Sequence, residues 1–129
     1  MRAVTGERIL IAHGVPAILE RIRSALDQAP EGYALEFTGE SRQVLTIARS
    51  FAPHAFVLAR SFKRSPTAHT VCKRLRKSKQ HHDAGVLVVS QRLKPGEEHR
   101  VTLHGADLCL GPQALEAGLI RENIRDLLD

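Results

Sequence analysis

The sequence predicts an α/β fold: a five-stranded parallel sheet with helices packed on both faces. Apolar runs of strand length alternate five times with stretches whose apolar residues recur at helical spacing. The firmest run, Gly85-Val-Leu-Val-Val-Ser90, has no polar alternation, as a strand buried on both sides requires. Turn residues such as Gly14 and Pro16, Pro30 to Gly32, Pro53 and Gly111-Pro112 separate the segments. This alternation builds parallel strands joined by right-handed helical crossovers.

The first strand is Arg8-Ile-Leu-Ile-Ala12, and Pro16 suits the first turn of the helix that follows. In residues 16–29, Ile18, Leu19, Ile22, Ala25 and Leu26 make one apolar face. Tyr33-Ala-Leu-Glu-Phe37 alternates with period two and reads as the second strand. Ser41 is the expected N-cap of the second helix, carried by Val44, Leu45, Ile47, Ala48 and Phe51. Ala55-Phe-Val-Leu-Ala59 is a third strand. Val71, Cys72 and Leu75 mark a third helix within residues 68–79, and Gly85 to Ser90 is the fourth strand. A shorter helix is expected from Glu97 to His104, a weaker strand from Ala106 to Leu110, and a last helix from about Leu115 to Leu128.

At 129 residues the chain is sized for one domain, spanning residues 8–129 behind a tail of residues 1–7, with no repeat or linker. Hydrophobic residues at 43% and charged residues at 26% fit a folded globular chain. Aromatics are only 4% and Trp is absent, so the core is aliphatic. No apolar run approaches the roughly 20 residues of a membrane helix. Met1 to Arg8 lacks the apolar stretch of a secretory signal, and a cytoplasmic location is expected. Cys72 and Cys109 form no CxxC pair and are expected to be buried, reduced thiols.

The net charge of +5 is local. Arg60, Lys63, Arg64, Lys73, Arg74, Arg76, Lys77 and Lys79 lie in a stretch without Asp or Glu, and the other residues together carry −3.

The order of these elements resembles the receiver domain of bacterial response regulators over nearly the whole chain. "RILIAHGVPAILERIRSAL" is similar to the first strand and helix, and "PHAFVLA" to the third strand. "VLVVSQ" is similar to the fourth strand, and "HGADLCL" to the Gly-Ala-Asp entry of the fifth. The resemblance implies a flavodoxin-like three-layer sandwich with strand order 2-1-3-4-5. It also implies where a phosphorylation site would fall. The family holds Mg²⁺ with two acids after the first strand and an acceptor Asp ending the third, since a hard cation takes carboxylate oxygens. A Lys and a Thr or Ser hydroxyl complete the site.

In this chain the two acids fall on His13 and Gly14, and the acceptor on Ala59. The Lys falls on Gly111 or Pro112, and the aromatic switch of the fifth strand on Cys109. Ser90 alone keeps the family's residue type. A methyl group cannot accept a phosphoryl group, so a phosphorylation-independent pseudo-receiver is expected. No GxSxG, HExxH, P-loop or GxGxxG word is present, and neither an enzyme nor a cofactor is expected.

The resemblance further implies that the last strand and its flanking helices form a docking or dimer surface. Here it comprises Lys94 to Leu103, Ala106 to Leu110 and the helix from Leu115, with Arg100, Cys109, Arg121 and Arg125 as contact residues. Its mixed charges suit a specific protein partner. The alternative is a binder of nucleic acid or another anionic surface through segment 60–82, using Lys73, Arg74, Arg76, Lys77 and Lys79. The plain reading of those cations is that they favour a helix C-terminus and keep the chain soluble. His69, Cys72, His81 and His82 match no established zinc spacing, and Cys72 falls on an apolar stripe, so no metal site is expected there. A third reading places a small ligand in the emptied pocket around His13, Ala59 and Ser90.

Overall fold

The structure, a computed structural model, describes residues 6–64, 66–90 and 105–129. Its strands are β1 (Arg8–Ala12), β2 (Ala34–Thr38), β3 (Ala55–Ala59), β4 (Gly85–Val89) and β5 (Leu108–Leu110). All pair in parallel, as the alternation predicts, and in the order β2-β1-β3-β4-β5 that the resemblance implies. The described helices are α1 (Pro16–Asp27), α2 (Val44–Phe51), α3 (Ala68–Lys77) and α4 (Ala117–Leu128). The helix expected from Glu97 to His104 lies outside the described residues.

The sheet alternates its side chains between two cores. Leu10, Phe56, Leu58, Val86, Val88 and Cys109 face α2 and α3, where they meet Val44, Ala48, Val71, Cys72 and Leu75. Ile9, Ile11, Val57, Leu87 and Val89 face α1 and α4 and meet Ile22, Leu26, Ile120 and Ile124. Each such aliphatic side chain contributes about 1.5–3 kcal/mol on burial. Every residue of β3 and β4 is buried, as their unbroken apolar runs require. The edge strand β2 is different: it is largely open, and Phe37 is 51% exposed.

Several boundaries differ from the sequence reading. α1 stops at Asp27: the Ala29 amide donates to the Leu26 carbonyl three residues back, which tightens and closes the last turn. β2 begins at Ala34, where pairing with Arg8 starts, and Tyr33 before it joins the buried cluster under α1. Ser41 caps no helix: it opens a 3₁₀ turn, Ser41–Gln43, and its hydroxyl donates to the Arg64 carbonyl 3.2 Å away. α3 ends at Lys77, and its N-cap is Thr67, whose Oγ1 accepts from the Thr70 amide at 3.3 Å. β4 ends at Val89, β5 starts at Leu108, and a 3₁₀ turn, Pro112–Leu115, precedes α4.

Arg76 corrects the sequence reading most. Rather than facing solvent, its guanidinium spans the junction of α3, β4 and β5. Nε donates to the Gly105 carbonyl at 2.7 Å, and Nη1 donates to the Ala84 and His82 carbonyls at 2.6 and 3.0 Å. Nη2 meets Asp107 Oδ2 at 2.9 Å, and the same oxygen accepts from the Val86 amide at 2.8 Å. The close pass explains Gly105, whose φ is +109° and where a Cβ would stand 2.8 Å from Arg76 Cγ.

Replacing Arg76 strips the charged donor from three carbonyls and one carboxylate. Arg76→Ala is therefore expected to lower the unfolding free energy by roughly 2–4 kcal/mol. Arg76→Lys should recover less than half of that, because an ammonium lacks the fork. Urea denaturation of both variants measures the difference.

Candidate functional site

In open parallel sheets, ligands and reacting groups gather beyond the C-terminal ends of the strands. Register brings three of those ends together here. Ala12 pairs with Leu58, and Ala59 pairs with Val89, so His13, Ala59 and Ser90 lie side by side at the ends of β1, β3 and β4. Main-chain bonds lock the ends: the His13 amide to the Thr38 carbonyl at 3.1 Å, Arg60 to Val89 at 2.9 Å, and Ser90 to Leu110 at 2.8 Å.

This junction is closed. His13 and Ser90 are each 3% exposed, and Ala59 is 2% exposed. The His13 Nδ1 accepts from the Val15 amide at 3.0 Å and so steadies the turn into α1. Burial pushes the His13 pKa below its ordinary value. A buried neutral imidazole, a glycine and a methyl group offer a hard divalent cation no anionic oxygen. These residues do not fit the Mg²⁺ site that the resemblance implies. Gly14 lies at the rim and Pro112 opens the 3₁₀ turn after β5, exposed.

The open space lies beside the junction. A cleft of about 270 Å³ is lined by Gly14 from the β1–α1 turn and by Gly39, Glu40, Ser41 and Arg42 from the β2–α2 turn. Phe62, Lys63 and Arg64 from the β3–α3 loop form its third wall. None of His13, Ala59 or Ser90 lines this cleft, so the expected small-ligand pocket is displaced toward β2. Sequence reasoning missed it because its walls come from three distant segments; the cations Lys63 and Arg64 beside Phe62 were the available signal.

Other expected site residues scatter. Cys109, expected as a contact residue, is 7% exposed and packed in the α2–α3 core. Its register partner is Val88, which sets that inward direction. Arg125 pairs with Glu31 Oε1 at 3.0 Å and ties α4 to the turn before β2. Arg121 stays partly exposed on α4, while Arg100 lies outside the described residues. Lys73, Arg74, Lys77 and Lys79 are exposed, which leaves four of the five expected polyanion contacts at the surface.

The His and Cys residues weighed for zinc do not assemble. Cys72 is fully buried, and its thiol is pushed up to about 11 by desolvation, which Arg76 opposes. The His81 ring stands edge-on to Phe56 with centroids 5.9 Å apart. Among the described residues no three His, Cys, Asp or Glu side chains group as metal ligands.

No protein-family model and no curated protein sequence matches the chain. Solved structures do. The signal receiver domain of a DNA-binding response regulator from Colwellia psychrerythraea 34H superposes with a TM-score of 0.84 at 16% identity, over 95% of this chain and 98% of that one. The fold is that of response-regulator receiver domains. The chemotaxis response regulator CheY4 of Vibrio cholerae gives 0.84 at 16% identity, over 96% of this chain and 100% of that one. A receiver domain from Bermanella marisrubri gives 0.82 at 22% identity, over 97% and 100%. Among the described residues no helix is long and apolar enough to cross a membrane.

The buried histidines set a pH dependence. Desolvation lowers the pKa of both His13 and His81, and among the described residues neither ring nitrogen of His81 has a hydrogen-bond partner. The unfolded chain then binds protons that the folded chain refuses. Their contribution is complete above the unfolded value of about 6.5 and is lost as pH falls toward the lower folded values. The thermal midpoint is expected to drop between about pH 7 and pH 5, and less steeply in the His13→Asn, His81→Leu double variant. Equal slopes for the two proteins in thermal scans would contradict this origin.

Proposed function

We propose that this chain is a phosphorylation-independent receiver-fold module that works through protein–protein contacts in bacterial signal transduction, in the cytoplasm. The observation that carries the reading is the closed junction of β1, β3 and β4, with His13 and Ala59 where an active receiver would carry carboxylates. With no acceptor or metal ligands among the described residues at these strand ends, the fold serves as a scaffold, and its specificity resides on its surfaces.

The surface we favour is α4. Leu119 is 38% exposed there, beside Arg121 and Glu122 and close to Glu116 in sequence. An apolar residue among mixed charges suits a specific protein partner or a two-fold dimer. The rival reading uses the exposed cations of α3 for an anionic surface. With Arg76 committed to the fold, that reading rests on Lys73, Arg74, Lys77 and Lys79.

Affinity capture from the source cell separates them. A Leu119→Glu, Arg121→Glu variant is expected to lose the partner retained by the unmodified chain. A Lys73→Glu, Arg74→Glu, Lys77→Glu variant should retain it, with or without acetyl phosphate. Loss only in the second variant, together with steep weakening as salt rises, would favour the polyanion reading instead.

A further inference from the structure

We propose that the cleft between the β1–α1, β2–α2 and β3–α3 turns is a binding site for a nucleoside phosphate. The site is separate from the α4 surface and does not depend on the scaffold reading.

Its charge is the first argument. Arg42, Lys63 and Arg64 line the cleft against one carboxylate, Glu40. That carboxylate is already engaged, with Glu40 Oε2 3.2 Å from Arg42 Nε. Lys63 and Arg64 are exposed and have no ion pair among the described residues. An excess of two positive charges, partly carried by guanidinium forks, suits the phosphate dianion better than a single carboxylate.

The second argument is the shape of the walls. Phe62 is half-buried and packs against the α2–α3 core, which holds its ring in place. A Cβ built on Gly14 would stand 4.0 Å from Phe62 Cδ1 and 3.8 Å from the Gly39 carbonyl oxygen. The β1–α1 turn thus passes within van der Waals reach of Phe62, and the exposed part of that ring is the aromatic surface the cleft offers a base.

Preorganisation is the third. Ser41 is 4% exposed, and its hydroxyl donates to the Arg64 carbonyl, so the β2–α2 turn and β3–α3 loop are held together before any ligand arrives. The volume of about 270 Å³ falls just under the roughly 300–1,000 Å³ of drug-sized pockets, so the cleft takes one nucleotide at most, with part of it outside.

Amide NMR of the full chain, titrated separately with ADP, GDP, adenosine and inorganic pyrophosphate, tests the proposal. ADP or GDP is expected to shift the Gly14, Gly39, Phe62 and Lys63 amides saturably, and adenosine and pyrophosphate to bind at least tenfold more weakly. A Lys63→Glu, Arg64→Glu variant should weaken the nucleotide at least tenfold. Phe62→Leu, which keeps apolar bulk in the core, should erase the advantage of nucleotide over pyrophosphate; Phe62→Ala should do the same if it folds. The proposal is overturned if no nucleotide perturbs these amides at millimolar concentration. It is equally overturned if pyrophosphate matches ADP, or if the shifts fall on Lys73 to Lys79 instead. Neither result bears on capture through α4, so the two readings fail separately.

Discussion

The parallel register of β1, β3 and β4 is the constraint from which the functional end of this domain follows. Pairing Ala12 with Leu58 and Ala59 with Val89 forces the three strands to end together. Whatever the next residues are, they meet. Here they are a neutral imidazole, a methyl group and a hydroxyl, packed so closely that none is more than 3% exposed. A receiver fold normally leaves its acidic residues within reach of a metal and a phosphodonor. This one spends the same position on packing and on the bond from the Val15 amide to His13.

Charge is divided in a comparable way between holding the fold and facing outward. Arg76 belongs to a cluster that reads as one basic surface, yet it satisfies three carbonyls and the Asp107 carboxylate at the entry to β5. Asp107 in turn accepts from the Val86 amide, so the same network holds the edge of β4. The neighbouring cations Lys73, Arg74, Lys77 and Lys79 are free to meet solvent or a partner. A second, smaller set around Phe62 borders the cleft.

The strands were legible because an apolar run buried on both faces has no other stable place in a chain of this size. Val86 to Val89 and Ala55 to Ala59 are buried throughout, as their composition demands. Short-range competition was not legible. Ser41 has the composition of an N-cap, but its hydroxyl turns to a carbonyl 23 residues away. Arg76 and Lys77 are equivalent letters until α3 is rotated against β5, which brings only one of them to Gly105. Cys109 was expected on the partner-contact face, but strand alternation sends it inward with Val88. The cleft stayed hidden because Gly14, Ser41 and Phe62 are brought together only by the folded sheet.

We propose that the strand ends at His13, Ala59 and Ser90 form no phosphoryl-accepting site. Amide NMR of the full chain with Mg²⁺ and beryllofluoride, a mimic of the phosphoryl group, tests it most directly. The account predicts that the amides of His13, Ala59, Arg60 and Ser90 keep their positions, and that acetyl phosphate adds no mass to the chain. A saturable, Mg²⁺-dependent shift at those strand ends, or a stable phosphoryl adduct, would contradict it.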